Sequence, residues 1–206
     1  MNSYRIYRGG KPDYDGNNQQ ENVNCGRFCR IIRDMKNIGN NTEREDTSMF
    51  REMMRFKQQL TQEECVKILK EEPRGVLSVL GDDDYPYGMP INQYYCEEDG
   101  KLYFHSGMKG HKIDAMKRHD KASFCTYDSG FRREGEWAQN IKSVIVFGRI
   151  EIIEDRDKIY EIARKLSYKF TDDEAYIERE IKHAGPRTLM FALVPEYMTG
   201  KIVNEA

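Results

Sequence analysis

The stretch LYFHSGMKGHKIDAMK, residues 102–117, joins two segments of different character. Its first half is short, aromatic and apolar, as is typical of a strand. In its second half Ile113, Met116 and Lys117 recur at helical spacing. We therefore predict a strand that passes directly into a helix at this junction.

The junction combines glycines with hydroxyl and basic side chains. Ser106, Gly110, His111 and Lys112 all lie within it. Glycine lets a backbone approach a ligand closely, and the free N–H groups of a helix's first turn attract anions. A lysine beside such a turn stabilises a bound phosphate further. These residue types predict a phosphate site.

Length and composition indicate one folded domain with a tail. The chain has 206 residues, 38% of them hydrophobic, which is enough for a domain with a core. Residues 1–48 are rich in Asn, Gly and Arg with little periodicity, so we predict a disordered extension there and one domain over residues 49–206. The extension contains Cys25 and Cys29, but no nearby His or Cys pair completes a zinc site.

Charge and cysteine content narrow the partners and the compartment. The net charge is −2, with 33 basic and 35 acidic residues interspersed, which gives no general attraction to nucleic acid or to an anionic membrane. No stretch approaches the roughly 20 apolar residues of a membrane span, and no signal peptide is visible. Five cysteines at irregular spacing favour a reducing compartment. We therefore expect a cytoplasmic protein.

The remaining patterns predict a strand-rich domain with helices in its connections. A capping box, Thr61-Gln-Glu-Glu, begins a predicted helix over residues 61–72. Besides the junction strand, strands are predicted over residues 75–80 (a buried strand), 85–95, 121–127, 143–153 and 188–194, and helices over residues 155–170 and 174–183. Six strands with short turns predict a small antiparallel barrel decorated by α-helices.

Three local features refine this barrel. Pro86 and Pro90 interrupt one strand, which must therefore have an open edge or a bulge where a ligand can replace a neighbouring strand. Gly148 marks the change from apolar to alternating residues in the 143–153 strand and predicts a bulge there. The three aspartates at 82–84 are interpreted as a solvated turn, because their carboxylates would diverge instead of surrounding a cation.

The roles of three histidines and of the only tryptophan leave alternative interpretations open. His111 and His119 would be about 12 Å apart along a helix, so they cannot share a metal ion, and we predict no metal site. His111 either flanks the phosphate or is simply solvated, and His105 is either a structural histidine or an active-site residue. The only tryptophan, Trp137, lies in a predicted loop and serves either packing or contact with a planar ligand.

Several motifs resemble one known family. The runs FHS (104–106) and GHK (110–112) are similar to the phosphate-binding segment of the FMN-binding split-barrel proteins, the pyridoxamine 5′-phosphate oxidase-like family. The runs KSVIVFG (142–148) and TGK (199–201) are also similar to family strands. The resemblance spans roughly residues 49–202, and within the family it is strongest to the nitroimidazole-resistance (Nim) branch.

This resemblance implies a fold, a cofactor and a site. The fold would be a six-stranded antiparallel Greek-key split barrel, and FMN would lie at the interface of a homodimer. Main-chain groups of one strand would meet the flavin ring; this strand contains Gly88, Met89, Pro90, Ile91 and Asn92. The phosphate would be held at the junction by Ser106, Gly110, His111 and Lys112. His105 would face the flavin edge as the candidate catalytic residue.

The implied activity is that of an oxidoreductase that passes electrons from FMN to a small-molecule acceptor, with nitro compounds such as 5-nitroimidazoles as candidates. FMN is favoured over FAD because the chain lacks the glycine fingerprint of dinucleotide sites. Strict pyridoxamine-phosphate oxidases carry an arginine at the position of His111, which counts against vitamin B6 oxidation. A non-catalytic flavin- or haem-binding module is the alternative. An oligonucleotide-binding barrel is disfavoured by the near-neutral charge.

Overall fold

One antiparallel sheet forms most of the folded domain; of the four α-helices in the described residues, one precedes the first strand and three lie in the connections between strands. The computed structural model describes residues 49–205, so the predicted extension and its cysteine pair fall outside the described residues. The strands are β1 (Arg74–Leu80), β2 (Pro86–Asn92), β3 (Tyr94–Tyr95), β4 (Leu102–Gly107), β5 (Lys121–Tyr127), β6 (Phe131–Arg132), β7 (Gln139–Ile153) and β8 (Thr188–Asn204). The α-helices are α1 (Gln62–Glu71), α2 (His111–Arg118), α3 (Arg156–Ser167) and α4 (Glu174–Ala184).

The sheet order is β2-β1-β5-β7-β8-β4-β3, and β6 pairs with β7. The predicted count of six strands is therefore wrong, because the strand predicted over residues 85–95 is divided into β2 and β3 and the two-residue strand β6 was not predicted. β3 is separated from β2 by Gln93, whose buried side chain donates hydrogen bonds to Leu69 O (2.6 Å) and Glu72 O (2.5 Å) at the end of α1. The mostly β class and the antiparallel pairing are confirmed, and the open path from β2 to β3 is consistent with a split barrel.

Helix α1 begins where its capping box predicted. The Thr61 hydroxyl accepts a hydrogen bond from Glu64 N at 3.2 Å, and the Glu64 carboxylate accepts one from Thr61 N at 3.0 Å. Cys65, Ile68 and Leu69 place one face of the helix in the core. In the part of the chain that the structure describes, no helix is long and apolar enough to cross a membrane.

Two hydrophobic clusters hold the sheet and its helices together. The larger cluster lies on the inner face of the sheet and includes side chains from α1 and α2, with Phe104, Phe124 and Phe191 fully buried in it. The second cluster packs α3 against the opposite face of β4 and β8 through residues such as Tyr103. Fully burying one such side chain contributes about 1.5–3 kcal/mol, so both faces of β4 are firmly positioned.

Strands β7 and β8 form the longest pair, and Gly148 marks an irregularity in it. The register shifts between Phe147 and Gly148, which confirms the predicted bulge. A Cβ atom at Gly148 would lie 2.1 Å from Val194 O, so only glycine allows this approach of the two backbones. Strand β8 extends to Asn204, ten residues beyond the predicted end at residue 194, because it stays paired with β7 across the shift.

Candidate functional site

The predicted junction is confirmed as strand β4 followed by helix α2. Side chains alternate along a strand, so Leu102, Phe104 and Ser106 share the face of the larger cluster. Tyr103 belongs to the second cluster, which places His105 on that opposite face. Ser106 and His105 thus leave the same strand end in opposite directions, and only the loop after Gly107 separates them from α2.

The N-terminus of α2 is open to solvent. Gly110 precedes the helix with φ 127°, a conformation that favours glycine, and none of the side chains that the structure describes caps this end. A Cβ atom added at Gly110 would meet nothing within 4 Å. The first N–H groups of a helix have no intrahelical acceptor, so those of His111 and Lys112 are available to an anion. Asp114, which is negatively charged, also lies in this turn. The positive side chain beside a bound anion is therefore that of Lys112.

The charge of Lys112 affects the protonation of His105. Protein atoms around the His105 ring lower its pKa, although part of the ring stays exposed, and the nearby charge of Lys112 lowers the pKa further. Both effects favour a neutral imidazole at pH 7. The candidate catalytic side chain is therefore influenced by the charge of the strongest candidate for an anion-binding cation.

The side chain of His111 is directed elsewhere. Its ring stacks on Tyr87 of β2, with ring centroids 4.2 Å apart and an interplanar angle of 11°. Its Nε2 lies 3.5 Å from the Asp82 carboxylate in the turn between β1 and β2. His111 is therefore packed against the β1–β2 hairpin, a contact that no local sequence pattern predicted.

The segment predicted to meet a flavin ring is the edge strand β2, which among residues 49–205 pairs only with β1. This confirms the open edge predicted from the prolines. Met89 and Ile91 point into the core, whereas Gly88 and Pro90 are exposed on the opposite face. Asn92 is half-buried, and its side chain accepts a hydrogen bond from Arg74 Nε at 3.0 Å. Only the main chain and the outward residues of β2 can contact a ligand.

The outward face of β2 continues across neighbouring strands as an accessible apolar surface. The registers align Gly88 with Ser78, Ser78 with Ser123, and Ser123 with Phe147. Exposed hydrophobic residues surround these small side chains, among them Val76 (41% exposed), Tyr127 (64%) and Phe147 (36%). The prediction that the strand over residues 75–80 is buried is therefore wrong for one face, because only alternate residues such as Leu77 reach the core. We call this surface the outer sheet face.

Trp137 does not pack in the core. It is 75% exposed and lines a cleft of about 610 Å³. The cleft is also lined by Arg133, Asn140, Ile202 and Asn204. Residues of the β4–α2 junction are not among those that line this cleft.

The three aspartates form the predicted turn. Residues 82–84 form a tight turn, in which Asp83 and Asp84 have φ values of 51° and 59°. Asp82 accepts a hydrogen bond from Arg118 Nη2 at 2.5 Å. Among residues 49–205, no group of three His, Cys, Asp or Glu side chains could hold a metal ion.

Comparison with solved structures finds several proteins of similar fold. The fold resembles a proposed 5-nitroimidazole antibiotic resistance protein from Bacteroides thetaiotaomicron (TM-score 0.58, 18% identity, 70% of this chain and 85% of that chain). It also resembles an FAD-binding protein from Mesorhizobium loti (TM-score 0.52, 25% identity, 70% and 96%). A third relative is an FAD- and haem-binding protein from Mycobacterium smegmatis (TM-score 0.55, 18% identity, 70% and 73%).

No curated protein sequence matches the chain. The family model for pyridoxamine 5′-phosphate oxidase matches residues 61–202, which include β4, α2 and all of the predicted site residues. The match covers more than half of the 206 residues. The resemblance inferred from the junction motifs is confirmed, and the chain belongs to the pyridoxamine 5′-phosphate oxidase family.

Proposed function

We propose that this protein is an FMN-dependent oxidoreductase that binds the flavin phosphate at the β4–α2 junction. The observation that carries the proposal is the N-terminus of α2, where Gly110 leaves space and no side chain of residues 49–205 caps the helix. Family membership and the flavin named for two structural relatives support it. A single phosphate site without a dinucleotide fingerprint favours FMN over FAD.

The residues at the junction fit a phosphate monoester. The N–H groups of His111 and Lys112 face solvent at the positive end of the helix dipole, and the Lys112 ammonium adds a full charge. Ser106 has a hydroxyl that can donate to a phosphate oxygen from the end of β4. These groups stabilise a bound phosphate without any proton transfer.

The ring would lie along the outward side of β2. Gly88 has no side chain to obstruct a planar group, and Pro90 has no N–H that would be left unsatisfied. The unpaired edge of β2 leaves main-chain groups free for the polar edge of the ring. When bound, FMN supplies the redox chemistry, and the protein supplies binding, orientation and exclusion of water.

A second copy of the chain would cover the outer sheet face. This face combines small residues such as Ser78 and Ser123 with exposed Val76 and Phe147, and exposed apolar patches of this kind mark interaction sites. Its continuity with β2 would place the ring at the interface of a homodimer. Sedimentation equilibrium should give two chains per particle, and Val76→Glu should give a monomer; a monomeric wild type would refute the assembly.

His105 is the proposed active-site side chain. Its pKa is lowered by the surrounding protein and by Lys112, so the ring is neutral near pH 7 and can accept or donate a hydrogen bond at a ligand. We propose a small-molecule electron acceptor, with nitro compounds as candidates because one structural relative carries a nitroimidazole-resistance description. The alternative is a flavin- or haem-binding module without turnover, supported by the relative that binds FAD and haem.

The visible absorption spectrum of the purified protein tests the proposal directly. Flavin bands that persist after addition of excess FMN and desalting would support it, and a colourless protein that retains no FMN would refute it. Dithionite-reduced holoprotein should then be mixed with a nitroaromatic compound under anaerobic conditions. Rapid reoxidation that slows in His105→Ala would support the oxidoreductase, whereas reoxidation at the rate of free flavin would favour the non-catalytic module.

A further inference from the structure

We propose that His111 is a positioning residue, whose side chain fixes the first turn of α2 against the β1–β2 hairpin instead of binding the phosphate. This inference rests on the proposed flavin site and assigns a different role to one of its predicted ligands. It makes the backbone N–H of His111, and not its imidazole, the group that faces the anion. The hairpin thereby supports the phosphate site without contacting the phosphate.

The first support is the packing of the imidazole ring. The ring lies parallel to the Tyr87 ring at 4.2 Å, and Tyr87 itself packs against the larger hydrophobic cluster. The Nε2 atom of the ring also lies near the start of the hairpin turn, since a Cβ atom at Gly81 would be 3.3 Å from it. The imidazole therefore contacts both the turn and a side chain anchored in the core.

The second support is the shared carboxylate of Asp82. Its Oδ1 accepts a hydrogen bond from Arg118 Nη2 at 2.5 Å, and its Oδ2 lies 3.5 Å from His111 Nε2. His111 is the first residue of α2 and Arg118 is the last. Residues seven apart lie on the same face of a helix, about 10 Å along its axis. One carboxylate of the hairpin turn thus interacts with both ends of α2.

This arrangement matters because the start of α2 must be oriented precisely to bind a phosphate. The loop from Gly107 to Gly110 leads into the helix, and no side chain of the described residues caps the N-terminus of α2. The N–H groups of the first turn must converge on one point to bind a phosphate. The buried side chains of Ile113, in the first turn, and Met116 anchor one face of the helix in the core. The contact of His111 with the hairpin sets the orientation of the N-terminal end.

Binding of FMN to four variants separates a positioning role from a ligand role. Aromatic pairs contribute enough that His111→Ala and Tyr87→Leu should each weaken FMN binding about two- to tenfold. His111→Phe retains a ring that can stack and should bind within about twofold of wild type. The double variant His111→Ala/Tyr87→Leu should bind no more weakly than the weaker single variant, because both changes remove the same contact. Equal losses in His111→Phe and His111→Ala, with no loss in Tyr87→Leu, would overturn the proposal.

The turn offers a matched pair of charge changes. Asp82→Asn should weaken FMN binding, while Asp84→Asn, which removes the same charge from the same turn and keeps a residue type suited to positive φ, should not. Equal effects of the two variants would mean that the turn acts only through its overall charge. That result would overturn the role of the shared carboxylate.

A measurement without flavin keeps the inference distinct from the proposed function. Amide hydrogen exchange in the flavin-free protein should be faster over residues 109–118 in His111→Ala than in wild type, with His111→Phe close to wild type. If wild type binds no FMN, the proposed function fails and exchange alone decides the positioning role. Unchanged exchange in His111→Ala would overturn it.

Discussion

Replacement of Lys112 by alanine tests the electrostatics of the phosphate site most directly. Lys112 is the second residue of α2, beside an open helix N-terminus, and its charge lowers the pKa of His105. Removal of the ammonium should therefore have two effects at once. FMN binding should weaken, and the pKa of His105 should rise towards its ordinary value.

The size of the effect on binding follows from the environment of the side chain. A hydrogen bond to a charged group contributes about 1.5–3 kcal/mol, which corresponds to roughly a 10- to 150-fold change in affinity. Lys112 is half-buried, so solvent screens part of this interaction. We therefore expect about a tenfold increase in the FMN dissociation constant. The remaining affinity comes from the N–H groups of the first turn, which the substitution leaves in place.

Lys117 provides a matched control on the same helix. It lies in the last turn of α2 and is exposed, so Lys117→Ala makes the same change of net charge far from the N-terminus. Flavin fluorescence titration at low and high salt gives the dissociation constants, and NMR titration gives the pKa of His105. Equal losses of affinity in Lys112→Ala and Lys117→Ala, with an unchanged His105 pKa, would refute the assignment of the phosphate site.

Three further predictions concern the scaffold. Gly148→Ala should lower the free energy of unfolding by about 2 kcal/mol or more in urea denaturation, because its Cβ would meet a backbone oxygen at 2.1 Å. Gly107→Ala is the control: its Cβ would meet nothing within 4 Å, so the free energy of unfolding should change much less. Thr61→Ala should cost about 1 kcal/mol by removing the cap of α1, and a midpoint equal to wild type would contradict this. Burial lowers the pKa of Lys169 to about 8, below the usual value near 10.4. Between pH 8 and about pH 10.4 the unfolded chain therefore keeps the Lys169 proton, whereas the folded protein has lost it. Stability of wild type relative to Lys169→Met should therefore rise from pH 8 to about pH 10.4, and a flat difference would refute the pKa shift.

The buried polar contacts at the end of α1 explain why Lys169 tolerates this environment. Its Nζ donates hydrogen bonds to Glu72 O at 2.9 Å and to Leu69 O at 3.3 Å. The Gln93 amide donates to the same two carbonyl oxygens. These contacts satisfy groups that a helix C-terminus leaves without intrahelical partners. They also connect α1 to the β2–β3 break and to the segment after α3.

Features encoded over a few neighbouring residues were determined by the sequence alone. The capping box fixed the start of α1, the change of periodicity after Gly107 separated β4 from α2, and two prolines marked β2 as an edge strand. Gly148 identified a bulge because a strand seldom has glycine in its interior without a close backbone approach. Each of these signals acts through local geometry, so no knowledge of the partner strand was needed.

Features that depend on pairing between distant residues were decided only by the tertiary structure. The outer sheet face exists because β1, β5 and β7 align at particular registers, and a strand's sequence does not specify its neighbours. The direction of the His111 side chain was fixed by Tyr87 and Asp82, which are more than twenty residues away in sequence. Sequence thus placed His111 at the start of the right helix, while the packing of that helix on the hairpin determined what its imidazole contacts.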